Sequence, residues 1–271
     1  MPRDTFVHAP RFFAALASLV ILVATATTGL SQQSKIPPSK NTSNAKTPKT
    51  EPPKPAENNI NAPFADPDVK AFVKRFESES REVYSRREEI VKALAIKPGM
   101  SIADIGAGTG LFTRLFAREV GAEGRVYAVD ISPAFLKHID AESKRLKQKQ
   151  VRTIKATQNS TGLTPNTLDL AFLCDVYHHL ERPGDSLRSI HDALKTTGNL
   201  VVIDFDRVKG KSSEFVLKHV RADRAQFVKE IQSAGFQLIR VSDAPRLDEN
   251  FFVRFRKIHR APTDPEGRVG E

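Results

Sequence analysis

Apolar residues recur along this chain in two alternating rhythms from Phe64 onward, and scarcely at all between 31 and 63. Short apolar runs at 101–105 (S-I-A-D-I), 125–131 (R-V-Y-A-V-D-I), 151–156, 168–174 (L-D-L-A-F-L-C) and 199–205 predict buried strands. Between them, residues 111–120, 132–149, 183–195 and 222–234 carry helical spacing, with Leu111, Leu115 and Phe116 on one face of the first. Ahead of the first strand, Asp66-Pro67 predicts a helix start for Val69, Phe72, Val73 and Phe76. Ser85 and Glu88 predict a capping box for a second helix bearing Ile90, Val91 and Leu94, stopped by Pro98-Gly99. Two adjacent apolar stretches, 236–241 and 250–258, predict a closing hairpin-like pair; Phe251, Val253 and Phe255 alternate in the second. Strands alternating with helices give an α/β domain built on a mostly parallel sheet.

The first strand runs straight into Gly106, Gly108 and Gly110 and then into a helix. Strand, glycine turn and helix form the entry unit of nucleotide-binding sheets: the backbone can approach a ligand closely, and free N–H groups of the helix point at it. The spacing is G-x-G-x-G, with Asp104 two residues before it, and Leu111 stands where the dinucleotide pattern G-x-G-x-x-G requires glycine. A tight turn without a ligand would need no more than this. Asp130, however, ends the second strand, where a carboxylate accepts from both ribose hydroxyls. NAD enzymes use the same device, so the glycine spacing carries the choice of cofactor.

These residues resemble the motif of class I S-adenosylmethionine-dependent methyltransferases of the small-molecule type, and the resemblance extends over about residues 66–258. It implies a Rossmann-like, doubly wound α/β fold with a seven-stranded sheet, mostly parallel with the last strand antiparallel, plus N-terminal helices. It implies that Asp104 serves the methionine part of S-adenosyl-L-methionine. The turn Gly106, Ala107, Gly108, Thr109 and Gly110 would pass beneath the ribose and amino acid, and Asp130 with Ile131 would hold the ribose. Thr157 and Gln158 stand where the family usually carries an acidic residue for the adenine amino group, and this chain has none there. Asp175 and the turn after it would face the transferred methyl group, while Tyr84 or Arg86 would reach the cofactor's carboxylate from the joint between the first two helices.

A sulfonium cofactor is already a methyl donor, so the protein must align the acceptor and remove its proton. Tyr177, His178 and His179 are the candidates for that task, His178 first, since only one of two adjacent histidines can face a pocket. The competing role for each histidine is packing beneath the following helix. A metal site is not expected, because neighbouring residues point apart and a lone adjacent pair lacks ligand spacing. The single cysteine, Cys174, excludes a cysteine-rich metal site and is expected to be a buried strand residue. The expected function is S-adenosylmethionine-dependent methylation of a small molecule, lipid- or quinone-like. The alternatives are a non-catalytic cofactor-binding or membrane-tethered partner module and an NAD-binding oxidoreductase.

The two ends modify this picture. Arg3 and Arg11 precede an uncharged run over 12–30, so 1–30 is expected to be a signal peptide or membrane anchor that carries the domain out of the cytoplasm. If translation starts further downstream, the protein is cytoplasmic instead. Residues 31–63, rich in Pro, Ser, Thr, Asn and Lys, are expected to be a disordered linker, and 259–271 a flexible tail around a 64–258 methyltransferase domain. The net charge is +10, but no basic stripe with interleaved aromatics is present. The expected partner is therefore a small methyl acceptor rather than nucleic acid, with membrane contact only through an uncleaved N-terminal segment.

Overall fold

The computed structural model describes residues 60–239 and 245–258. The expectations for 1–30, for the tail and for nearly all of the linker lie outside them.

Seven strands form one sheet in the order β3-β2-β1-β4-β5-β7-β6. The strands are β1 Ser101–Ile105, β2 Arg125–Asp130, β3 Val151–Lys155, β4 Leu168–Cys174, β5 Leu194–Phe205, β6 Phe236–Ile239 and β7 Asn250–Lys257. Strands β1 to β5 run parallel, and β7 lies antiparallel between β5 and β6. The helices are α1 Val69–Phe76, α2 Glu82–Ser85, α3 Arg87–Leu94, α4 Leu111–Val120, α5 Pro133–Arg145, α6 Pro183–Ala193, α7 Glu214–His219 and α8 Arg224–Ser233. The central strands read as continuous apolar runs because helices cover both faces. Ala103, Val129 and Leu173 belong to the core that includes Leu187 and Ile190 of α6 and Phe227 of α8. Ile102, Val126 and Phe172 join the core of Ile90 of α3 and Phe116 of α4. Strand β1 pairs with β2 on one side and β4 on the other, so the chain order reverses there and opens a crevice at the carboxyl ends.

The N-terminal helices differ from expectation in their joints. Asp68, not Asp66, caps α1; its carboxylate accepts from the amides of Lys70 and Ala71 at 3.0 and 3.2 Å, and Pro67 precedes the cap. Ser85 ends α2 instead of opening the next helix, and its hydroxyl donates to the Glu82 carbonyl, so no capping box forms with Glu88. Elsewhere α5 ends at Arg145, followed by Lys147 at φ +57, and β5 begins at Leu194, well before Asn199. Helix α7 has no counterpart in the apolar pattern, being one short turn-and-a-half capped by Ser213. Among the described residues no helix is long and apolar enough to cross a membrane.

Candidate active site

The glycine turn is fixed by sterics as much as by hydrogen bonds. Gly106 has φ +71, and a Cβ there would lie 2.4 Å from Val176 Cγ2; Gly110 has φ +77, and its Cβ would lie 2.8 Å from Ile139 Cγ1. Both conditions exclude a side chain. The amides of Gly106 and Ala107 donate to the Val129 carbonyl, tying the turn to the end of β2. There the Asp130 carboxylate accepts from Gly108 N at 2.9 Å and from Ser132 N at 2.8 Å. Each of its oxygens keeps a lone pair for a hydroxyl. Asp104, buried at the end of β1, accepts from the Thr113 hydroxyl at 2.6 Å. Burial pushes its pKa up to about 6, and the charge of Asp130 adds to the shift against the opposing Thr113 hydrogen bonds. Burial raises Asp130 as well.

A cavity of about 690 Å³ opens over this turn, a size suited to a nucleoside-sized ligand. Most of the residues expected from sequence meet in it: Asp104, Gly106, Ala107, Gly108, Thr109, Asp130, Ile131, Thr157, Gln158, Asp175, His178 and His179. Gly110 is not in its wall and instead occupies the N-cap of α4. Tyr84 is not there either: the Arg87 guanidinium stacks on its ring at 4.1 Å, and Arg86 pairs with Glu89. The arginines that line the cavity are Arg75 and Arg81, and Arg81 donates to Asp175 Oδ2 at 2.6 Å while Asn250 Nδ2 donates to Oδ1. Cys174, expected to be enclosed in its strand, faces the cavity, with its thiol pKa driven up by burial and by the neighbouring Asp175 charge.

The turn after β4 separates its three candidate bases. Tyr177 points into the core, its ring 4.9 Å from Phe227 and its hydroxyl donating to Glu230 at 3.0 Å. It lies outside the cavity lining, and burial followed by the charge of Glu230 makes it a weaker acid than a free tyrosine. His178 is buried and held by β5: its Nδ1 lies 2.7 Å from Asp204 Oδ1, and its amide donates to Asp204 Oδ2. With Nδ1–H donating to the carboxylate, Nε2 carries the free lone pair, and it is buried without a hydrogen-bond partner among the described residues. His179 Nδ1 meets Asn61 Oδ1 at 2.9 Å; burial, then the charges of His178 and His219, lower its pKa to about 3. His219, at the end of α7, stacks on Phe215 at 4.8 Å and lies edge-on to both other histidines. Sequence reading missed Arg81, Asp204 and His219 as site residues. Asp204 at a strand's carboxyl end was a usable signal; Arg81 and His219 reach the site only through tertiary packing.

The charge pattern suits a cationic nucleoside. Asp104, Asp130, Asp175 and Glu249 line the cavity against Arg75 and Arg81. A diphosphate over the turn would face the buried Asp104, whereas an ammonium would be attracted to it.

Residues 103–200 match the family model described as a methyltransferase domain. The chain is 30% identical over 116 residues to the ubiquinone/menaquinone biosynthesis C-methyltransferase UbiE of Idiomarina loihiensis, covering 41% of this chain and 45% of that protein. The same enzyme of Ectopseudomonas mendocina is 30% identical over 121 residues, covering 43% and 46%. The chain thus spans a little under half the length of the curated relatives it matches. A solved S-adenosylmethionine-dependent methyltransferase of Aquifex aeolicus superposes with a TM-score of 0.61 at 23% identity, covering 70% of this chain and 98% of that one, which establishes the shared fold. Residues 103–200 thus carry a methyltransferase domain, and its glycine turn, paired carboxylates and sheet order sit in a chain with the class I S-adenosylmethionine-dependent methyltransferase fold.

Proposed function

We propose that this protein transfers a methyl group from S-adenosyl-L-methionine to a small, hydroxyl-bearing aromatic acceptor of quinol-like shape. The observation that carries the reading is His178, a lining residue of the cavity that the cofactor residues also line, whose buried Nε2 has no hydrogen-bond partner among the described residues. When bound, the cofactor supplies an electrophilic methyl on a positive sulfur. Asp130 would hold the ribose hydroxyls, Asp104 the amino group, and Thr157 and Gln158 the adenine edge. The chain's own residues would align the acceptor with that methyl group and take up the one proton the acceptor gives up on methylation. In the metal-free protein that proton goes to His178, which Asp204 holds in the required tautomer as a positioning residue. Phe64, Phe205 and Phe215 line the same end of the cavity and offer aromatic walls to a flat ring. The quinone C-methyltransferases among the relatives support this acceptor class.

The test follows methyl transfer from labelled cofactor to a short-chain quinol. His178→Ala should lose about 100- to 10,000-fold in rate while still binding the cofactor. Wild-type turnover in that variant removes His178 from the reaction, and binding of NAD in place of S-adenosylmethionine removes the whole reading. We further propose that residues 1–30 carry the domain across a membrane, on the strength of Arg3 and Arg11 before the uncharged run. A reporter fused after Asn61 should then be active outside the cytoplasm, and activity confined to the cytosol refutes export.

A further inference from the structure

His178 and His179 are joined by a third ring from a different element. One side-chain nitrogen from each of His178, His179 and His219 lies within 4.8 Å of those of the other two. The sequence argument against a metal rested on the lone adjacent pair; the fold supplies the missing ligand from α7, forty residues on. Neighbours along the chain do not point apart here, because they sit in the 3-10 turn Tyr177–His179 and their rings lie 4.1 Å apart at 39°.

We propose that His178, His179 and His219 form a binding site for one divalent transition ion of the zinc class, open on its fourth side to the methyl acceptor. Three observations support it. First, the donor set is three imidazoles, the ligand set of catalytic zinc sites that keep one position for substrate or water. Second, two of the rings carry an outer hydrogen bond on Nδ1, His178 to Asp204 at 2.7 Å and His179 to Asn61 at 2.9 Å. This fixes both tautomers with Nε2 as the free donor, as metal-ligating histidines require, and the carboxylate makes His178 the more basic ligand. Third, His178 Nε2 is a buried nitrogen without a partner, an atom that needs an occupant. Metal–nitrogen bonds of about 2.0–2.1 Å in a tetrahedron place the nitrogens roughly 3.3 Å apart. Closing from 4.8 Å requires the rings to turn toward one another, and His219 sits half-buried at the end of a short helix.

This inference rests on reading the cavity as a methyl-transfer site. An acceptor hydroxyl on the open position would lose its proton to water: the O–H bond breaks, its electron pair stays on the oxygen, and the metal charge stabilises that pair. His178 then acts as a ligand, no longer as the base.

The experiment uses the full chain, stripped with a chelator and titrated with Co²⁺ and with Zn²⁺. One equivalent of Co²⁺ should bind and give the visible d–d absorption of a tetrahedral site, which one equivalent of Zn²⁺ bleaches. His219→Ala and His179→Gln, each checked for folding by circular dichroism, should weaken binding at least tenfold, while His138→Ala on α5 leaves it unchanged. No tetrahedral spectrum, or affinity unmoved by both variants, shows the three rings to be packed and not ligating. Calorimetry with S-adenosylmethionine on the stripped protein separates the two readings. Cofactor binding without metal binding sinks this inference alone, and absence of cofactor binding sinks the function proposed above.

Discussion

Asp104 shows how one buried carboxylate ties the ligand to pH. Its folded pKa of about 6 lies above the ordinary aspartate value of about 3.9, because burial penalises its charge. Between those two values the folded protein holds a proton that the unfolded chain has released. Stability of the cofactor-free protein therefore falls as pH rises through that window, and the cost persists above it. Asp104→Asn should remove that cost, on the order of 3 kcal/mol at pH 7, while keeping the Thr113 contact. Urea unfolding at pH 5 and pH 7.5 checks this: the wild type should be more stable at the lower pH by more than the variant is. Cofactor binding has the opposite sign, since an ammonium needs the ionised carboxylate; affinity should drop as pH falls through about 6 in the wild type and not in the variant. Asp104 and Asp130 were legible in the sequence because both lie at fixed offsets from the glycines along local strands. Asp204 was visible at the end of its strand but had no role until the fold set it under His178. Tyr177 misled for the converse reason: three polar rings in a row cannot show which one the core takes, and Phe227 and Glu230, which capture it, are remote in sequence.

Between elements, the N-terminal helices are fastened to the sheet by a few polar contacts. Arg81, in the N-cap of α2, lies over the Phe76 ring at 4.6 Å and donates to Asp175 at the end of β4; Asn250, which opens β7, completes the carboxylate. Asp175 itself has φ +53, a left-handed conformation uncommon for aspartate, so its carboxylate is held by these partners against local preference. The Glu82 carboxylate accepts from the amides of Asp248, Glu249 and Asn250 and closes the same edge. Arg81→Ala should cost about 3–5 kcal/mol, because it leaves a buried carboxylate without its cation. Asp175→Asn should cost clearly less, since Arg81 is a quarter exposed and can turn to water. Denaturant melts rank the two, and amide exchange in α1 should accelerate most in Arg81→Ala. Equal losses would mean that Phe76 packing, not the ion pair, fastens the helix. Helices α1 and α3 could be read from apolar spacing, but the short α2 and the joints could not. Asp68 rather than Asp66 caps α1, and Glu82 turns away to β7, because capping follows the path of the chain across the sheet.

At the scale of the whole molecule, the cofactor cavity lies where the sheet order reverses, and its walls come from every stage of the chain. Phe64 and Phe72 come from the N-terminal segment, Asp130 from the second strand, His178 from the turn after the fourth, and His219 from α7. The seven-strand sheet was legible because buried parallel strands are apolar throughout, whereas α7 is too short to show a period. A ligand touching all of these walls bridges elements that no single helix or strand connects, and it binds only the assembled state. Saturating S-adenosylmethionine, at about a hundred times its dissociation constant, should add about 2.7 kcal/mol to stability. For a folded region of this size that amounts to roughly 5–10 °C in Tm. The rise should be accompanied by slower amide exchange in α1 and in the glycine turn together, because one ligand spans both. NAD at the same concentration should leave Tm unchanged, since its diphosphate over the turn would face the buried carboxylate of Asp104. A rise with NAD, or protection confined to the glycine turn, would show that the cofactor does not fill the cavity from wall to wall.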